Sequence, residues 1–181
     1  MDLPLSLIIG INLFVYLYTY NSNLHYLTLI PNNVINLGEY WRIFTSCVTH
    51  INFLHLFVNM NSLIKIYPHL YYRIPNFWLT LFSLFVSFNI IYLFIAFILI
   101  DIYPIIFYTP VMGFSGILFG LIYLENNLMP NRTMNYMGME INSQYYSFYL
   151  LFITQIFMQQ SSFLGHLSGI LGGMTTYYLL F

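Results

Sequence analysis

Long apolar stretches alternate with short polar ones along this chain. Leu3 to Tyr20 and Phe77 to Ile100 are almost wholly apolar, and each comes close to or exceeds the roughly 20 residues that a helix needs to cross a bilayer core. Between them, a polar, turn-rich stretch from Asn21 to about Glu39 leads into a second run, about Phe53 to Ile66, which reads as a span although it carries His55 and Asn59. After Asp101 an apolar loop with Pro104 and Pro110 precedes a run from Gly113 to Leu124 that stops at Glu125. Twelve residues of helix rise only about 18 Å, against a hydrocarbon core of about 30 Å. The start of this element must lie inside the membrane, or the preceding loop must dip in. Residues from Glu125 to about Gln144 are polar, and two last runs follow, Tyr145 to Met158 and Phe163 to Phe181, parted by Gln159 to Ser162. The pattern predicts an all-α membrane protein, a bundle of six spans with a short fourth helix. Irregular backbone at membrane depth is tolerated only where protein or a hydrated cavity satisfies it, so the short element also predicts a cavity lined by the polar residues.

Composition agrees with the pattern. The 181 residues are 60% hydrophobic and 5% charged, far from the roughly 25% charged residues of soluble domains. No linker, charge block or internal repeat divides residues 1–181, which read as one domain. A net charge of -1 with four Lys plus Arg leaves no basic footprint for nucleic acid. Cys47, the one cysteine, permits no internal disulfide and reads as a small buried side chain. The opening MDLPLSLIIGINLFVYLYTY lacks a basic leader and a small-residue cleavage site, so it reads as a retained span. Six spans put both termini on one face, with the loops after spans two and four. Lys65, Arg73 and Arg132 fall on that face and Arg42 on the other, which makes the termini cytosolic.

Polar groups inside spans are costly and usually face the bundle interior. His55 and Asn59 are four residues apart, about 40° around a helix, and share a face. Ser115 begins span four and His166 lies near the start of span six. The starts of spans two, four and six all lie on the non-cytosolic side, so topology brings these four groups to one depth. A serine hydroxyl needs a neighbouring base to become a nucleophile, and histidine is the usual one. Ser115 with His166 supplies that pair, while His55, Asn59 and the Ser115 N–H are candidate donors to the oxyanion that acyl transfer develops. Gly165, Gly169 and Gly173 form a bare stripe on span six, as Gly116 and Gly120 do on span four, so these helices can approach closely.

Each signal has a plainer reading. A glycine stripe is commonly mere packing, a serine in a span usually bonds its own helix, and a histidine or Asn59 can be interhelical glue. The combination carries the argument. His50 and His55 are five apart without acidic or cysteine companions, so no metal site is expected. His25 and His69 read as loop residues. His50 sits too near the loop to be a second base and reads as a partner for loop backbone.

Together these residues resemble the rhomboid family of intramembrane serine proteases. The resemblance lies in EYWRIFTSCVTHINFLHLFVNM (Glu39 to Met60), with its Trp-Arg pair followed by His, His and Asn, in GFSG (Gly113 to Gly116), and in GHLSGILGG (Gly165 to Gly173). It covers nearly the whole chain, and the last two motifs are closest in wording to the eukaryotic rhomboid-domain-containing branch. It implies a six-helix bundle with a large first loop, Ser115 as nucleophile, His166 as base, and His55 with Asn59 as oxyanion donors. Trp41 and Arg42 would be structural, holding the first loop. The family works with a Ser-His dyad and needs no metal or organic cofactor, and no aspartate stands in the spans here to extend the dyad. Phe119 departs from the tyrosine that several bacterial relatives stack on the histidine. The implied activity is cleavage of single-span membrane proteins within the lipid bilayer, near the non-cytosolic end of their helix, with substrate entering between spans two and five. The alternative is a non-catalytic adaptor that binds transmembrane helices; the family's inactive branches typically lack the serine or the histidine, and this chain has both.

Overall fold

In a chain with so few charges, backbone polar groups have to be satisfied internally, and helices do this segment by segment. A computed structural model, describing residues 3–136 and 138–181, is accordingly helical almost throughout. Helix α1 spans Leu3–Thr19. The stretch expected to be turn-rich folds into a 3₁₀ turn, Leu24–Tyr26, and two short helices, α2 (Pro31–Leu37) and α3 (Trp41–Val48). Proline begins α2 and Gly38, with φ +70°, ends it, the usual asymmetry of helix termini. Then come α4 (Phe53–Tyr71), α5 (Phe77–Ile98), the single turn α6 (Ile105–Tyr108), α7 (Ser115–Leu128), α8 (Ser143–Phe157) and α9 (Phe163–Leu180).

Among the described residues α5 is the one continuous helix long and apolar enough to cross a membrane by itself; α3 and α4 pass the same test as a pair bent by 87°. Helix α7 has 14 residues, about 21 Å of rise. It runs past the expected stop at Glu125, because every residue from Gly116 to Asn126, Glu125 included, is buried. A helix buried all round belongs to an interior.

One element departs from the all-helical expectation. The polar segment after α7 forms an antiparallel hairpin, β1 (Thr133–Tyr136) with β2 (Met139–Asn142), in the register Thr133 to Asn142 and Tyr136 to Met139. Gly138, at φ +83°, stands in its turn, where a left-handed residue suits the strand twist. Asn142 then caps α8 by accepting from the Gln144 N–H at 3.0 Å.

The chain forms two compact units: residues 1–65 with 92–115, and residues 66–91 with 116–181. In the first, α1 buries the stripe Leu5, Ile8, Asn12, Tyr16 and Thr19, while Leu7, Ile11, Phe14 and Leu17 stay exposed. Buried Arg42 organises the long first loop by donating to the His25 carbonyl at 2.6 Å and the Thr28 carbonyl at 2.8 Å. It also pairs with Glu39, whose carboxyl is held below its usual range first by the Asn33 amide and then by Arg42. The Trp41 ring lies 5.5 Å from Tyr26. In the second unit, the buried Glu125 carboxylate takes the His69 imidazole at 2.6 Å and Arg132 at 3.2 Å.

Candidate active site

The segment leading to Ser115 is tied to the first loop before it reaches the helix. Leu29 and Val111 exchange both backbone hydrogen bonds at 2.9 Å, the Gly113 N–H donates to the Ser46 carbonyl at 2.8 Å, and the Phe114 N–H donates to His50 Nε2 at 3.4 Å. Gly113 then turns with φ +112°, a conformation that only glycine adopts without strain. Its position is specific. A Cβ there would stand 2.6 Å from His55 Cε1, 2.8 Å from His55 Nε2 and 3.6 Å from Asn59 Nδ2, so the bare glycine backbone lies directly on both groups.

Those two side chains are presented by the first turns of α4. Asn52 starts the helix by accepting from the His55 N–H at 2.8 Å, as an N-cap does, and the four-residue spacing sets His55 and Asn59 on one face. Asn59 is 3% exposed, and its Nδ2 has no hydrogen-bond partner among the described residues. His50 is fully buried with its ring edge-on to His55, centroids 5.0 Å apart. Accepting at Nε2 places its proton on Nδ1. The first unit thus gathers His50, His55, Asn59 and Gly113 and ends at half-buried Ser115, the first residue of α7.

His166 belongs to the second unit. Ser162 caps α9 by accepting from the Gly165 N–H at 3.0 Å, and buried His166 follows in the first turn. The Phe119 ring stacks on its imidazole, centroids 4.4 Å apart and planes within 25°. Phe119 itself sits in an apolar cluster with Tyr123, Leu151 and Ile170. A phenyl ring therefore supplies the stacking surface, without a hydroxyl.

Helices α7 and α9 meet through glycine in this unit. A Cβ on Gly169 would overlap the Gly116 carbonyl, and one on Gly173 would come within 2.6 Å of the Gly120 carbonyl oxygen. Gly116 directly follows Ser115, and Gly169 lies three residues after His166. Gly165 faces only the Ser162 cap, at 3.1 Å, so it serves the helix start and not the seam.

Two placements differ from the sequence reading. His25 lies in the 3₁₀ turn and His69 in the last turn of α4, not in loops; Glu125, which the hydropathy pattern treats as a mere stop, is what engages His69. Phe88, Leu84 and Gly172 carry no signal in the sequence. They line the same glycine seam, but within uniformly apolar or glycine-rich runs nothing distinguishes them. No group of three or more His, Cys, Asp or Glu able to hold a metal is found among the described residues.

Comparison with known proteins gives a consistent answer. The model of the Rhomboid domain matches residues 37–181. The chain is 28% identical to Rhomboid-like protein 15 of Arabidopsis thaliana over 180 residues, which is 95% of this chain and 44% of that protein. It is 30% identical to Rhomboid-related protein 4 of Homo sapiens over 142 residues, 75% of this chain and 44% of that one. Against Rhomboid-like protein 14, mitochondrial, of Arabidopsis thaliana, identity is 30% over 80% of this chain and 44% of the relative. The matched part is under half the length of each of these relatives.

Proposed function

This chain belongs to the rhomboid family of multi-pass integral membrane proteins, and from that membership we propose that it is an intramembrane serine endopeptidase working through a Ser115–His166 dyad. In this reading Ser115 Oγ attacks the scissile carbonyl while His166 takes its proton. His166 then protonates the leaving amine, and water attacking the ester with the same base releases the acyl half and restores the serine. The oxyanion is held by His55, Asn59 and the Ser115 N–H. The observation that carries the proposal is the backbone contact of Gly116 with Gly169, because it joins the residue after Ser115 to the turn after His166. The unpartnered Asn59 Nδ2 beside Gly113 supports the oxyanion role, since buried donors are rarely left unmade without a use.

The proposal extends to one domain of six spans, with α1, α4, α5, α7, α8 and α9 in the bilayer, cytosolic termini and an active site opening to the non-cytosolic side. Substrates are single-span membrane proteins entering between α4 and α8, and no cofactor takes part. The test is cleavage of a fluorescent transmembrane substrate by the purified protein. Ser115→Ala is expected to lower the rate at least about 1,000-fold, and undiminished cleavage by that variant would overturn the assignment. A wild-type protein that binds such helices without cutting them would instead identify an adaptor.

A further inference from the structure

Phe88 sits in the middle of α5, where the apolar run gives it no distinction, yet in the second unit it fills a notch. A Cβ on Gly116 would stand 2.6 Å from Phe88 Cε2, 2.7 Å from Cζ and 3.3 Å from Cδ2. The ring cannot easily withdraw, because its own backbone is backed by another bare position. A Cβ on Gly172 would meet the Phe88 N at 2.9 Å and its Cα at 3.0 Å. Phe88 is 6% exposed. The first turn of α7 is therefore gripped from two sides, by the Phe88 ring and by the backbone of α9 at Gly169. One turn deeper, Leu84 lies against Gly120 in the same way, so the groove continues along α7 away from Ser115.

Consecutive Cα atoms are about 3.8 Å apart across a rigid peptide plane, so whatever fixes Gly116 also fixes the backbone from which the Ser115 side chain springs. We propose that Phe88 is a positioning residue for the nucleophile: its ring sets the height of the first turn of α7, and thereby the line of approach of Ser115 Oγ, without touching substrate. The inference rests on the reading of Ser115 as the nucleophile. Misplacing a reacting group by about 1 Å can cost about 100-fold in rate. Losing the ring leaves a void beside Gly116 into which the turn can move.

A serine-directed fluorophosphonate applied to the full chain in lipid bilayers tests this, with the labelling rate at Ser115 expressed per folded molecule. Phe88→Ala is expected to slow labelling about 10- to 100-fold, and Phe88→Leu, which keeps more of the volume, to fall between it and the wild type. Leu84→Ala opens the same groove farther from Ser115 and should lose thermal stability with a much smaller loss of rate. Gly116→Ala should abolish labelling by driving its methyl into the ring, and the double variant Gly116→Ala with Phe88→Ala should label at least about 10-fold faster than Gly116→Ala alone, since the new methyl occupies the vacated space. Substrate turnover by Phe88→Ala should show a lowered kcat with KM little changed.

The positioning role is overturned if Phe88→Ala labels at the wild-type rate, if Leu84→Ala slows labelling equally, or if the double variant is folded but no faster than Gly116→Ala. A wild-type protein that resists the probe, or a Ser115→Ala variant that takes it up equally, overturns the nucleophile first and the positioning role with it.

Discussion

Gly113 shows how much can rest on a side chain that is missing. Its φ of +112° would strain any other residue, and the space where a Cβ would stand is already taken by the His55 ring. Gly113→Ala is expected to cost about 2 to 4 kcal/mol, from backbone strain and from displacement of the ring. Chemical unfolding in detergent measures the loss, and an unchanged midpoint would show that the loop and His55 yield freely. At this scale the sequence was informative where residue chemistry is unusual for its surroundings. His55 and Asn59 stood out as polar groups one turn apart in an apolar run, and Ser115 and His166 as candidates by the same logic. Phe88 did not, since a phenylalanine among phenylalanines carries no mark of the notch it fills. Phe119 lies between these cases: the resemblance marks it as the ring that stacks on the histidine, and the structure adds the near-parallel geometry, with planes within 25°.

Among the elements, those with a long apolar run were legible to within a few residues, because hydropathy alone decides whether a helix of that length is preferred in lipid. Helices α2 and α3 were not, being only seven and eight residues long and held less by their own propensity than by side-chain bonds, from Asn33 of α2 to Glu39 and from Arg42 of α3 to Glu39 and the His25 and Thr28 carbonyls. The β1–β2 hairpin was missed because TMNYMGMEIN does not alternate cleanly, although Gly138 was a turn signal. Helix α7 outruns the hydropathy boundary for an electrostatic reason: Glu125 is kept inside by His69 of α4 and by Arg132 at the base of the hairpin. Removing that charge while keeping its shape, as in Glu125→Gln, is expected to lower stability by about 1 to 3 kcal/mol. Loosening should be seen by hydrogen exchange in both residues 66–73 and 129–143. Unaltered exchange in either segment would mean that the carboxylate does not join them.

For the whole molecule, the proposed six spans with cytosolic termini would place the loop between α7 and α8 in the cytosol. That loop carries Asn131-Arg132-Thr133, an acceptor sequence for N-linked glycan, and Asn131 is exposed. Translation into endoplasmic-reticulum microsomes should leave it unmodified, and a glycosidase-sensitive increase in mass would reverse the proposed orientation. Hydropathy and basic-residue counts are what this proposed topology rests on. Neither could reveal how much depends on the meeting of α7 with α9 and with Phe88. Of ten glycines in the chain, seven lie where an added carbon would crowd or collide with a neighbour, and five of these, at positions 116, 120, 169, 172 and 173, line the seam. The exposed leucines, isoleucines and phenylalanines can each be exchanged for another apolar residue with little penalty. The glycine seam has no such synonyms, so the chain can drift widely in sequence on its exposed positions while remaining intolerant of a single methyl group along the one line where α7 meets α9.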